Sequence, residues 1–393
     1  MPKVLRILNR FNVGGPTHNA TFLTKYLSPD FKTKLIAGNK LDSEEASEYI
    51  LENANIDYYI IKNMGRSINP INDIKAFLEI IKIIRNYKPD IVHTHASKSG
   101  ALGRLAAIYM SVPLIFHTFH GHVFHSYFGK LKTHIYILIE RYLARKSNQI
   151  IAISDIQKKD LVEKYKISSD KKVTVIPLGF DLEKFNQDSQ KKRFDFRKEF
   201  SLLDDQIAIG IIGRLTAIKN HKLFLYAIKE VVSRADKCIS VFIIGDGEEK
   251  EKLIELTKDL GLSYSTINKK NIDATVHFTS WRSDMDTVYA GLDIVGLSSL
   301  NEGTPVTLIE AQAAKKPIVS TDVGGIKDIV QHNETALLSQ SGDYNQMAEN
   351  ILRLVSDADF RRKMGRNGKK NVEDRFSYKR LVNDVRNLYN RFI

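Results

Sequence analysis

Cysteine is almost absent from this sequence, since Cys238 is the only one among 393 residues. A single cysteine excludes an intrachain disulfide, which is typical of proteins from reducing compartments. We expect Cys238 to be a small buried residue rather than a reactive thiol.

Long apolar runs are also missing. No stretch approaches the roughly 20 consecutive apolar residues that a membrane-spanning helix requires. There is no secretory signal pattern either, because Met1–Lys3 leads directly into the apolar run Val4–Leu8, which is typical of a buried first strand. With 43% hydrophobic and 27% charged residues, the composition is that of a globular protein, and we expect a cytoplasmic one.

The common phosphate-binding glycine motifs do not occur. The sequence contains no Walker-type Gly-Lys-Ser/Thr, and the pair Gly14-Gly15 lacks the spaced glycines of dinucleotide-binding proteins. Short-period repeats and low-complexity tracts are missing as well.

Charge is abundant and unevenly placed. The net charge is +13, and residues 1–178 hold 26 Lys and Arg against 15 Asp and Glu, whereas residues 179–393 hold 33 against 31. Seven of the eleven histidines also lie in the first half, between His93 and His134. The basic half predicts either an anionic partner or general solubility charge.

Short apolar runs alternate with helical patterns along the whole chain, and the runs are rich in Val and Ile. This alternation predicts α/β domains in which helices cover both faces of parallel sheets. Thirteen strands are predicted: 4–8, 33–37, 57–61, 91–96, 114–118, 149–154, 173–177, 207–212, 240–244, 275–279, 294–298, 318–321 and 336–338.

The length exceeds that of one ordinary core, so two domains are expected. A strand ends at Pro177, and the segment Pro177–Asp181 is the predicted hinge between domains 1–178 and 179–377. The last helix, 378–393, has apolar residues at helical spacing. Two doubly wound, Rossmann-like domains imply a ligand in a cleft between the carboxyl ends of facing strands.

Several residues that could bind phosphate follow predicted strands. Gly14 and Gly15 would let the backbone approach a ligand before a helix start, although a tight turn explains them equally well. Arg214 and Lys219 would suit a diphosphate, and solvated surface charges are the alternative. Gly245 closes the next strand, where it either faces a nucleotide or forms a plain strand-to-helix turn.

The most informative segment is 298–311. Glu302 follows a strand, Pro305 fits the first turn of a helix, and Glu310 lies about a turn and a half into it. The two carboxylates are placed to bind different hydroxyls of one ligand, while the helix N-terminus favours a phosphate. A sugar nucleotide carries both kinds of group.

These residues also carry a family resemblance. Glu302 and Glu310, with seven residues between them, resemble the E-x7-E motif of retaining family 4 glycosyltransferases of the GT-B fold. The flanking segment 317–325, Gly213-Arg214-Leu215 with Lys219, Gly245-Asp246-Gly247, 177–181 and Gly14-Gly15 are similar to that family in the same order. Asn220 departs from the pattern, since many members have glycine after the lysine.

The resemblance implies a role for each matching residue. Arg214 and Lys219 would bind the diphosphate, Glu310 the ribose and Glu302 the transferred sugar, while Gly15 would let its loop close on the phosphates. His120 would be the active-site histidine near the sugar. The remaining residues implied to bind the nucleotide-sugar are Gly14, Gly245, Trp281, Arg282, Gly303, Thr304 and Pro305, with the base partly held by main chain near Trp281.

No metal or other cofactor is expected. The histidines of residues 93–125 include His93, His95, His117, His122 and His125, but they show no recognisable ligand spacing. Active-site or core histidines that are hydrogen-bonded and mostly neutral are the preferred interpretation.

The acceptor is expected to bind the basic first domain. Residues 91–150 contain seven Lys and Arg and only one acid, Glu140, and residues 122–132 mix aromatic with basic residues. This composition is typical of a protein that contacts an anionic membrane surface and a lipid-linked glycan. We therefore predict a peripheral enzyme of capsule, O-antigen or exopolysaccharide synthesis that uses a nucleotide-sugar donor, preferably UDP-linked.

Three other functions compete with this prediction. A UDP-sugar 2-epimerase has the same two-domain fold and needs no acceptor. A nucleic-acid-binding protein would explain the charge, but no motif for it is present and we expect no nucleic acid partner. A sugar-binding module without catalysis would not need Arg214, Lys219, Glu302 and Glu310 together.

Overall fold

The computed structural model describes residues 1–11, 15–39, 48–65, 67–120 and 130–393. The chain divides into two compact units, one formed by residues 1–180 and 376–393 and the other by residues 181–375. The segments that separate them pair with each other, because Phe180 N donates to Phe376 O at 2.8 Å and Tyr378 N donates to Phe180 O at 3.0 Å.

The first unit is built on a seven-stranded sheet in which every pair of neighbouring strands is parallel. The strands are β1 Lys3–Arg10, β2 Lys32–Gly38, β3 Tyr58–Ile61, β4 Ile91–His95, β5 Leu114–Thr118, β6 Gln149–Ala152 and β7 Val173–Val175. Their order, β3-β2-β1-β4-β5-β6-β7, reverses between β1 and β4. The carboxyl ends of strands at such a reversal are where open α/β sheets bind ligands.

Helices cover both faces of this sheet. They are α1 Gly15–Tyr26, α2 Glu48–Asn53, α3 Pro70–Tyr87, α4 Ser97–Tyr109, α5 Lys130–Lys146 and α6 Asp155–Lys159, which continues as a π-helical turn over Asp160–Lys164. Apolar residues of α3 and α4 pack with Leu5 and Ile7 of β1. On the opposite face, Val4 packs with α1 and with the C-terminal helix, Tyr378–Asn390.

The second unit repeats the architecture, again with parallel pairs throughout. Its strands are β8 Ile207–Ile212, β9 Ile239–Ile244, β10 Tyr264–Thr266, β11 Val276–Ser280, β12 Ile294–Leu297, β13 Ile318–Thr321 and β14 Ala336–Ser339. Their order is β10-β11-β9-β8-β12-β13-β14, which reverses between β8 and β12. Its helices are α7 Ser189–Glu199, α8 His221–Arg234, α9 Lys250–Asp259, α10 Met285–Gly291, α11 Val306–Ala313, α12 Tyr344–Ser356 and α13 Ala358–Phe376, so that the C-terminal helix is α14.

The predicted α/β class with two doubly wound parallel sheets is confirmed, and each of the thirteen predicted strands overlaps an observed one. The strand β10 was not predicted. It has three residues, Tyr-Ser-Thr, all of them half-buried at the sheet edge. A strand this short and polar leaves no apolar run in the sequence.

The expectation for Cys238 is wrong, because this residue is exposed. It directly precedes β9, and its carbonyl oxygen accepts a hydrogen bond from Ile207 N at 2.9 Å. The backbone of Cys238 thus closes the end of the sheet while its side chain faces solvent. Among the helices that the structure describes, none combines the length and the apolar character needed to cross a bilayer.

Removal of core contacts from α14 tests whether this helix stabilises the first unit. Leu388 is buried between α14 and the sheet, whereas Asn387 on the same helix is exposed. We expect Leu388→Ala to lower the free energy of unfolding by about 2–5 kcal/mol, since it leaves a cavity. Asn387→Ala should change it by less than about 0.5 kcal/mol.

Urea unfolding followed by two probes distinguishes the stability of the first unit from that of the second. Trp281, the single tryptophan, lies in the second unit, so its fluorescence follows that unit, while far-ultraviolet circular dichroism follows both. Equal stability of the two variants by circular dichroism would show that α14 does not stabilise the first unit.

Candidate functional site

The predicted site residues of the second unit gather at one edge of its sheet. Arg214 and Lys219 follow β8, Gly245 follows β9, and Trp281 and Arg282 follow β11. Glu302–Pro305 lie between β12 and α11. All are therefore at the carboxyl ends of neighbouring parallel strands, on both sides of the reversal between β8 and β12.

Gly245 brings the loops after β8 and β9 into direct contact. Gly213 N donates to Ile244 O and Leu215 N donates to Asp246 O, both at 2.9 Å. Gly245 has a φ of +141°, and a Cβ at this position would lie 2.0 Å from Gly213 O. Any side chain here would push away the turn that carries Arg214, so Gly245 shapes the loop through its backbone.

Lys219 and Glu302 form an ion pair across the reversal. Lys219 Nζ lies 2.6 Å from Glu302 Oε1, and the same oxygen accepts a hydrogen bond from Ser299 Oγ at 2.6 Å. The loop backbones are joined as well, because Leu300 N donates to Ile218 O at 2.8 Å. Two residues that are 83 positions apart in sequence are thereby held in one place.

Arg214 differs from Lys219, because its side chain is exposed and has no hydrogen-bond or ion-pair partner among the described residues. It lies on the loop that Gly245 and Asp246 hold in place. An ordered loop thus carries an unpaired guanidinium, which is the group best suited to bidentate binding of a phosphate.

The backbone of Glu302 is positioned by a glycine pair after β13. Gly325 N donates to Glu302 O at 3.0 Å. Gly324 has a φ of +52°, and a Cβ there would lie 2.1 Å from the same oxygen. Next to this contact, Gly303 is exposed, and no described atom would lie within 4 Å of a Cβ placed on it.

The helix α11 begins at Val306, so Pro305 is its N-cap residue rather than part of its first turn. No side chain caps this N-terminus in the described structure. The first backbone N–H groups of an uncapped helix can bind an anion, and the phosphate site at Thr304 stays a prediction.

Glu310 lies on α11 in an apolar setting. Tyr289 Oη donates to Glu310 Oε2 at 3.2 Å and to Thr307 O at 3.1 Å. Burial raises the pKa of the Glu310 carboxyl, although the charge of Lys184 and the hydrogen bond from Tyr289 oppose part of the rise. The remaining acceptor capacity of this carboxylate suits ligand hydroxyl groups.

Arg282 is engaged in ion pairs within its own unit. Its Nε and Nη2 donate to Asp284 at 2.8 and 2.7 Å, and Nη1 and Nη2 donate to Glu199 at 2.5 and 2.9 Å. These bonds raise the pKa of the Arg282 guanidinium. The side chain can therefore reach a ligand only after breaking two carboxylate contacts, whereas the neighbouring Trp281 is exposed.

A cavity of about 410 Å³ lies beside this segment. Thr279 and Arg282 line one side of it, and Phe200, Ile267 and Ile272 line other parts. The family resemblance implies that the nucleotide base lies near Trp281, and the cavity offers room for a planar group there.

In the first unit, Gly15 and His120 follow β1 and β5. Gly15 is buried at the start of α1, and a Cβ on it would lie 3.0 Å from Leu178 Cδ1. His120 Nε2 lies 2.9 Å from His95 Nδ1, and burial lowers the pKa of His120 to about 3. His120 is therefore neutral at physiological pH. Gly14, His122, His125 and most of the aromatic and basic segment 122–132 lie outside the described residues.

Sequence analysis gave no role to Tyr289 or Ser299, although they contact the two glutamates. Ser299 stands three residues before Glu302, a spacing that often allows a side-chain hydrogen bond. Tyr289 is 21 residues from Glu310 and gives no local signal. Within the described ranges, no group of three or more His, Cys, Asp or Glu residues is arranged to hold a metal ion.

Two family models match the chain and together span most of it. The model described as Glycosyltransferase Family 4 matches residues 14–184, and the model described as Glycosyl transferases group 1 matches residues 192–371. The chain belongs to the family 4 glycosyltransferases. It is therefore an enzyme that transfers a sugar, and the comparisons give no support to the UDP-sugar 2-epimerase alternative.

Two bacterial relatives match this glycosyltransferase over most of their length. It is 29% identical over 332 residues to the UDP-Gal:alpha-D-GlcNAc-diphosphoundecaprenol alpha-1,3-galactosyltransferase of Escherichia coli, covering 84% of this chain and 83% of that protein. It is 28% identical over 356 residues to the capsular polysaccharide biosynthesis glycosyltransferase CapM of Staphylococcus aureus, covering 90% and 88%.

Solved structures confirm the GT-B fold of this glycosyltransferase. HepE of Anabaena, solved in complex with UDP, matches with a TM-score of 0.81 at 18% identity over 99% of this chain and 100% of that one. A glycosyltransferase of Rickettsia africae matches with a TM-score of 0.80 at 20% identity over 100% and 98%.

The raised pKa of Glu310 predicts how the stability of the enzyme without a ligand depends on pH. A carboxyl whose folded-state pKa is raised contributes stability below its unfolded pKa and loses that contribution as pH rises through the folded pKa. We expect Glu310→Gln, which cannot ionise, to have a higher Tm than wild type above about pH 7, with the difference shrinking toward about pH 4.

Thermal unfolding of both proteins across this pH range measures the effect. Glu255→Gln on the exposed face of α9 is the matched control and should show no such trend. A lower Tm of Glu310→Gln than of wild type at alkaline pH would contradict the raised pKa of the Glu310 carboxyl.

Proposed function

We propose that this glycosyltransferase transfers a sugar from a UDP-sugar to a hydroxyl of a polyprenyl-diphosphate-linked glycan, with retention of the anomeric configuration. The observation that carries the proposal is the cluster at the reversal of the second sheet. There Arg214, which has no partner among the described residues, lies near an ion pair of Lys219 with Glu302, an uncapped helix N-terminus and a half-buried Glu310, all at neighbouring strand ends. A sugar nucleotide needs cations for its diphosphate and carboxylates for its hydroxyls.

Binding of the diphosphate exchanges partners at Lys219. The Lys219 side chain is 26% exposed, and its ammonium pairs with Glu302. A diphosphate carries more negative charge than one carboxylate, so Lys219 and Arg214 together favour the phosphates. Glu302 is then released to accept hydrogen bonds from the hydroxyls of the transferred sugar. The ion pair thus keeps both groups in place until the donor arrives.

The remaining donor contacts follow from the same cluster. Glu310 accepts from the ribose hydroxyls, while Gly303, Thr304, Pro305 and the start of α11 face the phosphates. The base lies near Thr279–Arg282, with Trp281 exposed beside it. The family resemblance adds Gly14, Gly15 and His120 as candidates for binding the nucleotide-sugar. No metal is required, because Arg214, Lys219 and the helix N-terminus stabilise the charge of the leaving group.

The chemical step needs no protein nucleophile. The bond between the anomeric carbon and the diphosphate oxygen breaks as the bond to the acceptor oxygen forms on the same face of the sugar. The departing diphosphate oxygen takes the proton of the acceptor hydroxyl. The protein contributes positioning and electrostatic stabilisation.

The preference for uridine and for a lipid-linked acceptor is supported by the named relatives. HepE was solved with UDP, and the Escherichia coli relative is named for UDP-Gal and a diphosphoundecaprenol-linked sugar. The Staphylococcus aureus relative is named for capsular polysaccharide biosynthesis. We place this enzyme in capsule, O-antigen or exopolysaccharide synthesis, on the cytoplasmic side of the membrane that carries its acceptor.

Nucleotide binding without metal tests the donor site. We expect UDP, in the presence of a chelator, to raise Tm more than GDP or ADP, because a ligand stabilises the folded state by RT ln(1 + [L]/Kd), about 2.7 kcal/mol at 100 times Kd. Arg214→Ala, Lys219→Ala and Glu310→Ala should each reduce the shift.

Lys222→Ala, an exposed lysine three residues after Lys219, is the matched control and should keep the full shift. Equal shifts in all four variants would show that the nucleotide binds elsewhere. Transfer to a polyprenyl-diphosphate-linked acceptor, followed by NMR of the product anomer, tests the retained configuration.

Exposed apolar stripes in the first unit support contact with a membrane. Ile71, Ile74 and Leu78 stand on one face of α3 and are 58–68% exposed. On α5, Ile135, Leu138, Ile139 and Tyr142 form a second stripe, 41–49% exposed. Both helices pack against α4. Together these residues form the α3–α5 surface, and apolar residues in stripes on neighbouring helices indicate an interaction surface.

Basic residues lie on the same helices as these stripes, and their charge favours a membrane with anionic lipids. The exposed side chains on the same helices include Lys75, Lys82, Arg85, Arg145 and Lys146. Helices with apolar and basic residues side by side bind at the boundary between acyl chains and anionic headgroups. The α3–α5 surface would hold the enzyme where a lipid-linked acceptor is found.

Vesicle flotation tests the membrane proposal. We expect binding to phosphatidylglycerol-containing vesicles but not to phosphatidylcholine vesicles. The triple variant Ile135→Ser, Leu138→Ser, Tyr142→Ser should bind at least about tenfold more weakly, since each apolar side chain contributes about 1.5–3 kcal/mol when fully buried. Leu203→Ser, which removes a still more exposed leucine in the second unit, should bind like wild type. If binding is the same for both kinds of vesicle and is unchanged in the triple variant, the α3–α5 surface does not bind the membrane.

A further inference from the structure

Arg6 is a buried cation without a carboxylate partner in the described part of the chain. It lies in the middle of β1, and its side chain has no exposed surface. Its Nη1 donates to His93 Nδ1 and His95 Nε2, both at 3.1 Å, and its Nη2 donates to Tyr389 Oη at 3.4 Å. Burying a charge among neutral groups destabilises a fold, so this arrangement calls for another reason.

The register of the sheet brings the partners together. Arg6 pairs with His93, and His95 pairs with Thr118. Because side chains alternate across a sheet, Arg6, His93, His95 and Thr118 share the face that α14 covers with Tyr389. His120 follows β5 on this side and contacts His95.

Arg6 determines which nitrogen of His95 carries the proton. Arginine stays protonated in proteins and can only donate hydrogen bonds, so His95 Nε2 must be an unprotonated acceptor. A neutral His95 then carries its proton on Nδ1, which lies 2.9 Å from His120 Nε2 and donates to it. His120 Nε2 is therefore an acceptor as well, and the proton of a neutral His120 is on Nδ1.

The three rings are neutral at physiological pH. Burial lowers the pKa of His93 and His95 well below the usual value, and neighbouring positive charge, including that of Arg6, lowers both further. Burial also lowers the pKa of His120 to about 3. The rings stack with centroids 4.4 Å apart for His93 and His95 and 5.1 Å apart for His95 and His120.

His93 forms a separate branch of the network. Tyr389 Oη lies 2.6 Å from His93 Nδ1, and His93 Nε2 lies 2.7 Å from Thr118 Oγ1. Burial raises the pKa of the Tyr389 hydroxyl, which therefore stays protonated and can donate to His93. Among the described residues this branch goes no further than Thr118, and the branch through His95 is the one that reaches His120.

We propose that Arg6 is a positioning residue that fixes the tautomer of His95 and thereby makes His120 Nδ1 an N–H donor toward the bound substrate. His120 Nδ1 is shielded from water and has no hydrogen-bond partner among the described residues. This step rests on the proposed function, and the acceptor of the hydrogen bond is an oxygen of the bound substrate. A His120 that donates cannot also be the base that deprotonates the acceptor, whose proton goes to the diphosphate instead.

Long-range 1H–15N NMR of the histidine-labelled wild-type enzyme tests the tautomers without any substrate. Signals are assigned by loss in His95→Gln and His120→Asn. We expect His95 and His120 to carry their protons on Nδ1, with no titration between about pH 6 and pH 8, where an ordinary histidine changes charge. A proton on His120 Nε2, or a charged His95 or His120 at neutral pH, would overturn the proposal.

Arg6→Met removes the donors that set the tautomer, and Tyr389→Phe is the matched control because Tyr389 contacts His93 and not His95. We expect mixed tautomers of His95 and His120 in Arg6→Met and unchanged tautomers in Tyr389→Phe. With a UDP-sugar and acceptor, kcat/KM should fall about tenfold in Arg6→Met, the effect of one hydrogen bond. Unchanged tautomers in a folded Arg6→Met would refute the role of Arg6. If Arg6→Met does not fold, the wild-type spectrum decides alone.

Substitution of His120 distinguishes a role as hydrogen-bond donor from a role as general base. Asparagine places an amide N–H near the position of Nδ1–H, whereas leucine has no donor. We expect His120→Asn to retain most of kcat/KM and His120→Leu to lose about tenfold or more. Equal losses of about a hundredfold or more in both variants would identify a general base and overturn the proposal. If UDP still raises the Tm of these variants as it does that of wild type, the proposed donor site stands even when the role of His120 fails.

Discussion

The reversal of strand order in each sheet is the constraint on which the chemistry of this protein depends. Helices that follow two neighbouring strands at a reversal leave toward opposite faces, so a crevice opens at the carboxyl ends of those strands. In the second unit the reversal lies between β8 and β12, and the ion pair of Lys219 with Glu302 joins the loops on its two sides. In the first unit the reversal lies between β1 and β4, the strands that carry Arg6, His93 and His95. Both candidate networks therefore arise from the same topological feature.

Both networks also include charges that do not favour folding. Burial opposes ionisation of Glu310, and Arg6 lies among neutral rings. By contrast, the buried Arg104 is paired with Glu140 at 2.7 Å. Arg104 is thus neutralised by a partner within the fold, whereas the charges of Glu310 and Arg6 are not. Stability alone would favour replacing both residues. Keeping Glu310 is understandable when its partners include a ligand, and keeping Arg6 is understandable when it orients His95.

Much of the fold could be predicted because parallel sheets leave a strong signal. Strands that are buried on both faces are continuous Val and Ile runs, as in Ile207–Ile212, whose bounds were predicted correctly. The signal fails where burial is partial. The edge strand β10 is short and polar, and Cys238 stands one residue before a buried run and faces solvent. Spacing also located the loops that carry Arg214 and Glu302 and the helix α11 that carries Glu310, since each loop directly follows a strand with a clear pattern.

The spacing of residues in the sequence did not show which side chains contact one another at the site. Arg282 stands in the segment predicted to hold the base, but two carboxylates, one of them on Glu199 at the end of α7, occupy its guanidinium. Tyr289 supports Glu310 from another helix, and only the folded sheet places them together. Arg6 did leave a signal, because it interrupts the apolar run Val4–Leu8 in a strand that must be buried. A charged residue inside such a run indicates a polar network within the core, and here the register of β1 with β4 identifies the two histidines as its members.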